Sequence, residues 1–267
     1  MSDHTSGFPV VLTTEGAVRT IRIDRPGAMN ALDTATKVAL RDAVEAAGAD
    51  PRVRCVVLTG TGRAFCVGQD LREHARLLAA DDPAIRTTVA EHYNPIALGL
   101  ASMPKPVIAA LNGVAAGAGV AFALGCDLRV MAASGGMNLA FTGVGLSADS
   151  GASWWLPRLV GPARAAELLL LPRTLPATEC LDLGLVTEVV PDEDLVARVT
   201  ELADRLAAGP TLAYAAVRRA LAYSASHDLA DSLAHEGIQM RAAAETADHA
   251  EAVAAFAAKR PPRFEGR

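Results

Sequence analysis

Three glycine-rich stretches hold the residues best suited to chemistry. The first, Gly62-Arg63-Ala64-Phe65-Cys66-Val67-Gly68-Gln69-Asp70-Leu71, leads from a β-branched run into a helical pattern. The second, Asn112-Gly113-Val114-Ala115-Ala116-Gly117-Ala118-Gly119, has the same placement. Glycine permits backbone angles closed to other residues, and a helix start presents N–H groups without intrahelical partners. Such groups can hold an oxyanion or a phosphate. The same residues also suit an ordinary strand-to-helix turn in the first stretch and close helix–strand packing in the second. The second is not a Walker loop, since no Gly-Lys-Ser/Thr follows, and its glycine spacing does not fit a dinucleotide fingerprint. The third stretch runs from Phe141 to Gly151 and on through Trp154-Trp155-Leu156-Pro157-Arg158. It places Asp149 in a glycine-flanked loop before a helical pattern, where an N-cap alone is sufficient reason for a carboxylate. Asp149-Ser150-Gly151 also has the form of a serine-nucleophile turn, but no matching base segment or all-β pattern accompanies it.

Other reactive side chains form no pattern. His4, His74, His92, His227, His235 and His249 show no metal spacing, and Cys55, Cys66, Cys126 and Cys180 form no CxxC pair, so no metal site and four buried free thiols are expected.

The elements that must position these stretches are legible in outline. Val10 to Thr14 and Val18 to Ile23 read as a hairpin about Glu15-Gly16, and Arg25-Pro26-Gly27 turns the chain. Asp33 caps a predicted helix over residues 34–48, with Leu40, Val44 and Ala47 on one face. Val53 to Thr59 is a buried strand, and helices are predicted over 71–79 and 84–101. Pro104-Lys105-Pro106 leads into a strand from Val107 to Leu111; strands follow near 127–132 and 137–141. Beyond residue 150 the pattern is helical, apart from a strand near Leu185 to Val190. The helix over 192–207 carries the stripe Leu195, Val199, Leu202 and Leu206, and an alanine-rich helical tail runs on to Arg260-Pro261-Pro262. No sequence repeat is evident. Strands and helices first, then helices alone, argue for an α/β body followed by a helical C-terminal part.

The 267 residues suit one large domain or one domain with an appendage. With 51% hydrophobic and 21% charged residues a sizeable core is expected. Lys plus Arg number 25 against 30 Asp plus Glu, a net charge of −5, which lacks the footprint of a nucleic-acid binder. The polar start from Met1 to Ser6 has no apolar signal-peptide region, and the apolar stretch from Val107 to Leu124 is broken by Asn112 and three glycines. A soluble cytoplasmic enzyme with no membrane partner is the expectation.

Taken together, the ordered segments resemble the crotonase superfamily, the enoyl-CoA hydratase/isomerase family. They are Ile23-Asp24-Arg25-Pro26 with Asn30-Ala31-Leu32, the Phe65-to-Leu71 loop, Lys105 to Gly113, Gly145 to Arg158, and Phe256-Ala257-Ala258-Lys259-Arg260. The resemblance implies a spiral of ββα units over residues 1–200 and a C-terminal helical oligomerisation region over 201–267, building trimers or hexamers. It implies an acyl-CoA thioester as substrate, no cofactor, and a thioester oxygen held by the backbone N–H groups of Gln69 and Ala118. Two such dipoles stabilise an enolate, and one is typically worth about a hundred- to thousandfold in rate. Because the donors are backbone groups, the Gln69 side chain is expected to be dispensable. Contacts to the acyl-CoA are implied at Arg25, Ala28, Val67, Gly68, Asp70, Leu71, Gly117, Phe141, Trp154 and, from a neighbouring subunit, Lys259.

Departures from the family pattern carry as much information. Hydratases of the family use two glutamates, and here Ala121 and Phe141 stand in those places. Isomerases put a carboxylate four residues after the glycine that here is Gly145, and that residue is Asp149. Tyr93-Asn94-Pro95 and the Trp154-to-Arg158 region further resemble the members that isomerise epoxyphenylacetyl-CoA. The resemblance thus implies a single-carboxylate isomerase. The alternatives are a hydratase of fatty-acid or aromatic-acid degradation, and a non-catalytic acyl-CoA- or RNA-binding member.

Overall fold

The computed structural model describes residues 9–267; His4 and the polar start from Met1 to Ser6 lie outside the described residues. β1 (Val10–Glu15) and β2 (Val18–Ile23) pair antiparallel, as predicted, with Gly16 turning at φ 57°. Asp33 caps α1 (Thr34–Ala49): its Oδ1 accepts from the Thr36 N–H at 2.8 Å. Then come β3 (Cys55–Gly60), β4 (Ala64–Cys66), α2 (Leu71–Ala79), α3 (Ala84–Thr88), α4 (Asn94–Ser102), β5 (Val107–Leu111), β6 (Val114–Ala116) and α5 (Ala118–Leu124). The chain continues through β7 (Leu128–Ala132), β8 (Gly136–Asn138), α6 (Ala152–Val160), α7 (Pro162–Leu170), β9 (Leu175–Pro176), α8 (Ala177–Asp182), β10 (Glu188–Val190) and α9 (Leu195–Ala207). It ends in α10 (Thr211–Ser224), α11 (Leu229–Ala244) and α12 (Ala247–Ala257).

The strands form two sheets. The larger has the order β1-β2-β3-β5-β7-β10, parallel from β2 onward; the smaller has the order β4-β6-β8-β9, with β9 alone antiparallel. The successive pairs β3/β4, β5/β6 and β7/β8 each give their first strand to the large sheet and their second to the small one. That is the expected spiral, although the sequence shows no repeat.

Alternation along the large sheet divides the core. Ile21, Ile23, Val56, Leu58, Val107, Ala109, Leu111 and Met131 face inward, while Val18, Cys55, Val57, Ile108, Ala110, Val130 and Ala132 face α9. On α9 the fully buried positions are Leu195, Val199, Ala203 and Ala207; Leu202 and Leu206 are half-buried beside them. The predicted stripe is therefore shifted by one residue in its second half. All four cysteines are buried and free. Burial pushes the Cys66 and Cys126 thiols up to about 12, which leaves them unreactive.

The helix predicted over 84–101 is interrupted. Pro95 has no N–H to donate, and the Asn94 N–H reaches back five residues to the Val89 carbonyl, making a wide turn over Val89–Tyr93. Tyr93 is thereby buried, at 2% exposure. The C-terminal helices show the opposite: Val217, Leu221, Leu229, Leu233, Ile238 and Met240 are more than half exposed, and Phe256 is 86% exposed. No helix among the described residues is long and apolar enough to cross a membrane.

Two asparagines buckle the loop between β3 and β4. Asn30, fully buried with φ 58°, accepts the Arg25 N–H at 2.9 Å and donates to the carbonyls of Thr61 and Ala64 at 3.0 and 2.7 Å. Asn112 accepts the Gly60 N–H at 3.1 Å and donates to Gly62 and Ala64 at 2.8 and 3.0 Å. Asn30→Ala leaves the Arg25 N–H and the Thr61 carbonyl without a partner, takes one of two donors from the Ala64 carbonyl, and puts alanine, which tolerates the left-handed region less well than asparagine, at φ 58°. A loss of at least about 2 kcal/mol in urea unfolding is expected; a loss of a few tenths would show that the buckle is not needed.

Candidate active site

The two glycine turns meet backbone to backbone. Leu32 bridges to Gln69: the Leu32 N–H donates to the Gly68 carbonyl at 2.7 Å and the Asp70 N–H to the Leu32 carbonyl at 3.1 Å. These bonds flank Gln69, so its own N–H points to the other side of the strand. Gly68 has φ 78°, and a Cβ there would lie 2.9 Å from the Ala116 carbonyl oxygen and 3.2 Å from the Ala118 nitrogen. Gly117, at φ 51°, turns the chain into α5, whose first residue is Ala118. A Cβ on Gly119 would come within 2.1 Å of the Cys66 carbonyl oxygen. Glycine is required at Gly68 and Gly119 because backbone occupies the side-chain space. Among the described residues, neither the Gln69 nor the Ala118 N–H has an acceptor.

Asp149 is not a helix cap. The N-cap of α6 is Gly151, at φ 87°, and no side chain caps that helix. The Asp149 carboxylate accepts one hydrogen bond, from the Ser150 hydroxyl at 2.7 Å, and makes no ion pair among the described residues. Burial raises its pKa above the ordinary carboxylate value, and the Ser150 bond opposes this without cancelling it. Behind it, the Trp155 indole fills the space where a side chain on Gly151 would stand. Tyr93 feels the same carboxylate: burial first, then the Asp149 charge, raises the phenol, which stays protonated. Ala121 and Phe141 are both buried in the same core, and the Phe141 ring lies 4.0 Å from the Cβ position of Gly117. A half-buried carboxylate, a pair of backbone donors and an apolar surround can remove a proton and stabilise the resulting anion.

The family profile described as enoyl-CoA hydratase/isomerase matches residues 13–267. The chain belongs to the enoyl-CoA hydratase/isomerase family. It is 42% identical, over 100% of both chains, to a Rhodobacter capsulatus protein named "Probable enoyl-CoA hydratase". It is 38% identical to the 1,2-epoxyphenylacetyl-CoA isomerase of Escherichia coli, over 95% of this chain and 97% of that one. The crystal structure of an enoyl-CoA hydratase from Bacillus anthracis superposes with a TM-score of 0.92 at 31% identity, covering 97% of this chain and 100% of that one. The fold is that of the crotonase family.

The structure distributes the other residues singled out by this family resemblance unevenly. Arg25 is engaged within the chain: its guanidinium pairs with Asp33 and Asp70, each at 3.0 Å, and donates to the Ala31 carbonyl. Asp70 caps α2 through the N–H groups of Arg72 and Glu73. Its burial resists ionisation, but the hydrogen bonds from Glu73, Arg25 and Arg72 outweigh it and hold the carboxyl below its usual value. Ala28 and Val67 are half-buried and Leu71 is half exposed. Trp154 lies on the exposed side of α6, its ring covered 3.4 Å away by the Arg158 guanidinium. Lys259 is exposed after α12 and makes no ion pair among the described residues.

Sequence reasoning missed a polar cluster behind Gln69. The Gln69 Oε1 accepts from the Tyr93 hydroxyl and, at 3.2 Å, from the Lys37 ammonium. The expectation that this side chain is dispensable is therefore at odds with its contacts. The available signal was Lys37 itself: three residues before Leu40, it falls on the apolar stripe of α1, and it is 1% exposed.

The raised Asp149 pKa has a stability consequence. A carboxyl whose folded-state pKa is raised contributes stability that is fully present below its unfolded pKa and is lost as pH rises through the folded one. At neutral pH the ionised group is therefore a liability. Asp149→Asn is expected to unfold at a higher temperature than the wild type at pH 7–8, with the difference shrinking as pH falls below the folded pKa. A variant less stable at neutral pH would contradict the burial argument.

Proposed function

We propose that the protein is an isomerase acting on an acyl-CoA thioester, moving a double bond from the 3- to the 2-position or isomerising epoxyphenylacetyl-CoA. The observation that carries this reading is the isolation of Asp149: a half-buried carboxylate with a raised pKa that, among the described residues, caps no helix and forms no ion pair. In this reading the thioester oxygen sits on the N–H groups of Gln69 and Ala118. Asp149 takes a proton from carbon 2 of a 3-enoyl-CoA, and the electrons pass to the thioester oxygen as a dienolate. The same carboxyl returns the proton to carbon 4, the 2,3 double bond forms, and the carboxylate is regenerated. The scheme calls on no metal or redox cofactor. Phe141 and Ala121 keep the pocket apolar, and the CoA portion lies along Arg25, Ala28, Val67 and Leu71, with Lys259 contributed by a neighbouring subunit.

A second reading, hydration of a 2-enoyl-CoA, is favoured by the name of the Rhodobacter relative. Adding water across a double bond takes a base for the water and an acid for the carbon. The places where the resemblance puts glutamates hold Ala121 and Phe141, which transfer no protons.

Two measurements test this reading. Product analysis with 3-enoyl-CoA, 2-enoyl-CoA and epoxyphenylacetyl-CoA is expected to show isomerisation faster than hydration; the reverse order sinks the proposal. Asp149→Asn is expected to lower turnover by on the order of a hundred- to ten-thousandfold while the protein stays folded. The apolar faces of α10, α11 and α12 fit a trimer or hexamer. Light scattering is expected to show one, and a stable monomer at micromolar concentration would remove the neighbouring Lys259 from the site.

A further inference from the structure

Two buried donors converge on one acceptor. Lys37, at 1% exposure, and Tyr93, at 2%, both bond to the Gln69 Oε1. The Lys37 ammonium also reaches the Thr88 hydroxyl at 2.9 Å, lies 4.0 Å from the Glu73 carboxylate, and sits 5.5 Å from the centre of the Tyr93 ring. Burying an ammonium is costly, and an apolar residue on this stripe of α1 would serve stability as well or better. The cluster therefore asks for another explanation, and the residue it grips is the one that follows Gly68.

The peptide joining Gly68 to Gln69 carries the carbonyl of one and the N–H of the other. Its carbonyl edge is fixed by the Leu32 N–H at 2.7 Å. One hydrogen bond leaves the plane free to tilt about that contact, and Gly68, at φ 78°, resists little on its side. On the other side, the Asp70 N–H bond to the Leu32 carbonyl at 3.1 Å holds the chain beyond the Gln69 Cα, and the Cα is held further by its own side chain, whose end is gripped by Lys37 and Tyr93. Two anchored edges set the direction of the N–H.

We propose that Lys37 and Tyr93 are positioning residues, which clamp the Gln69 side chain and so aim the Gln69 N–H at the thioester oxygen. This rests on the assignment of that N–H as an oxyanion donor. Neither residue touches the substrate in this scheme; both act through Gln69. The wide turn over Val89–Tyr93 gains a purpose, since it turns the phenol inward to this clamp.

The test reads the aim of the donor directly. Butyryl-CoA carrying a 13C-labelled thioester carbonyl is bound to the protein, and its carbonyl stretch is compared with that of the free thioester by difference infrared spectroscopy. In the wild type the stretch is expected to fall, as two N–H groups polarise the carbonyl. Gln69→Ala and Tyr93→Phe are expected to shrink that shift and to lower kcat on a 3-enoyl-CoA by on the order of ten- to a hundredfold, with KM changed by less than about threefold. Gln69→Glu, which offers an acceptor to both donors, is expected to recover most of the shift. Should Gln69→Ala fail to fold, Tyr93→Phe, which removes only a hydroxyl, carries the comparison. A wild-type carbonyl that does not shift overturns the oxyanion assignment and this proposal with it. A wild-type shift that Gln69→Ala or Tyr93→Phe leaves unchanged overturns the clamp alone.

Discussion

Between Gly68 and the beginning of α5 there is no room for a side chain, and most of the site follows from that. β4 and β6 are neighbours in the small sheet, and each ends shortly before a glycine of positive φ, Gly68 at 78° and Gly117 at 51°. The two turns are carried side by side by the pairing of the strands before them. Their approach is set by backbone, which tolerates no drift: a β-carbon on Gly119 would be driven into the Cys66 carbonyl. Asn30, Asn112 and the Leu32 bridge then fix the loop from outside. N–H groups held this way are fixed before any ligand arrives, which is the condition under which dipoles are worth most.

The charges wholly or partly withdrawn from water sort into two groups by what satisfies them. Lys105 donates to the carbonyls of Ala47 and Asp50 at 2.9 and 2.8 Å and finishes α1. Arg129 donates to the Leu185 carbonyl at 2.7 Å and ties the turn before β10 to the large sheet. Both are structural, since each answers backbone groups that would otherwise be orphaned. Asp149 and Lys37 answer no such need. The loop around Asp149 also holds Ser150 in the left-handed region, at φ 54° and 1% exposure, a conformation that costs a non-glycine residue roughly 1–3 kcal/mol. Strain and desolvation thus gather at one residue pair, offset by the packing of Trp155 and the core beneath.

Elements with strong periodicity or a strong cap were legible in the chain: the first hairpin, the helix behind Asp33, the buried strand from Val107 to Leu111 and the glycine turns. β4 and β6 were not, because three residues inside a glycine-rich loop show no alternation to read, and only their partners make them strands. For the same reason the spiral is invisible as a repeat: it lives in pairing between distant segments, not in matched residues. The interrupted helix at Val89–Tyr93 traces to the missing N–H of Pro95, a signal present in the chain but weaker than the helical pattern around it. At the site, the resemblance pointed to Asp149 and to the N–H groups of Gln69 and Ala118, while position alone left the capping alternative open until Gly151 proved to be the N-cap. Arg25 shows the limit of carrying roles over by motif, since its charge is shared with Asp33 and Asp70 and tells of loop anchoring first.

The order of strands in the large sheet, β1-β2-β3-β5-β7-β10, runs in the same direction as the chain. Each strand that emerges during synthesis finds its partner already made, and the sheet grows at one edge only. No early strand has to wait for a late one to be inserted beside it. Contacts of high sequence separation, which slow parallel sheets, are here divided into steps no longer than one crossover until β10 arrives. Vectorial growth of this kind leaves only two edges exposed at any moment, the constant β1 edge and the newest strand, and so limits the surface through which a half-made chain could pair with another.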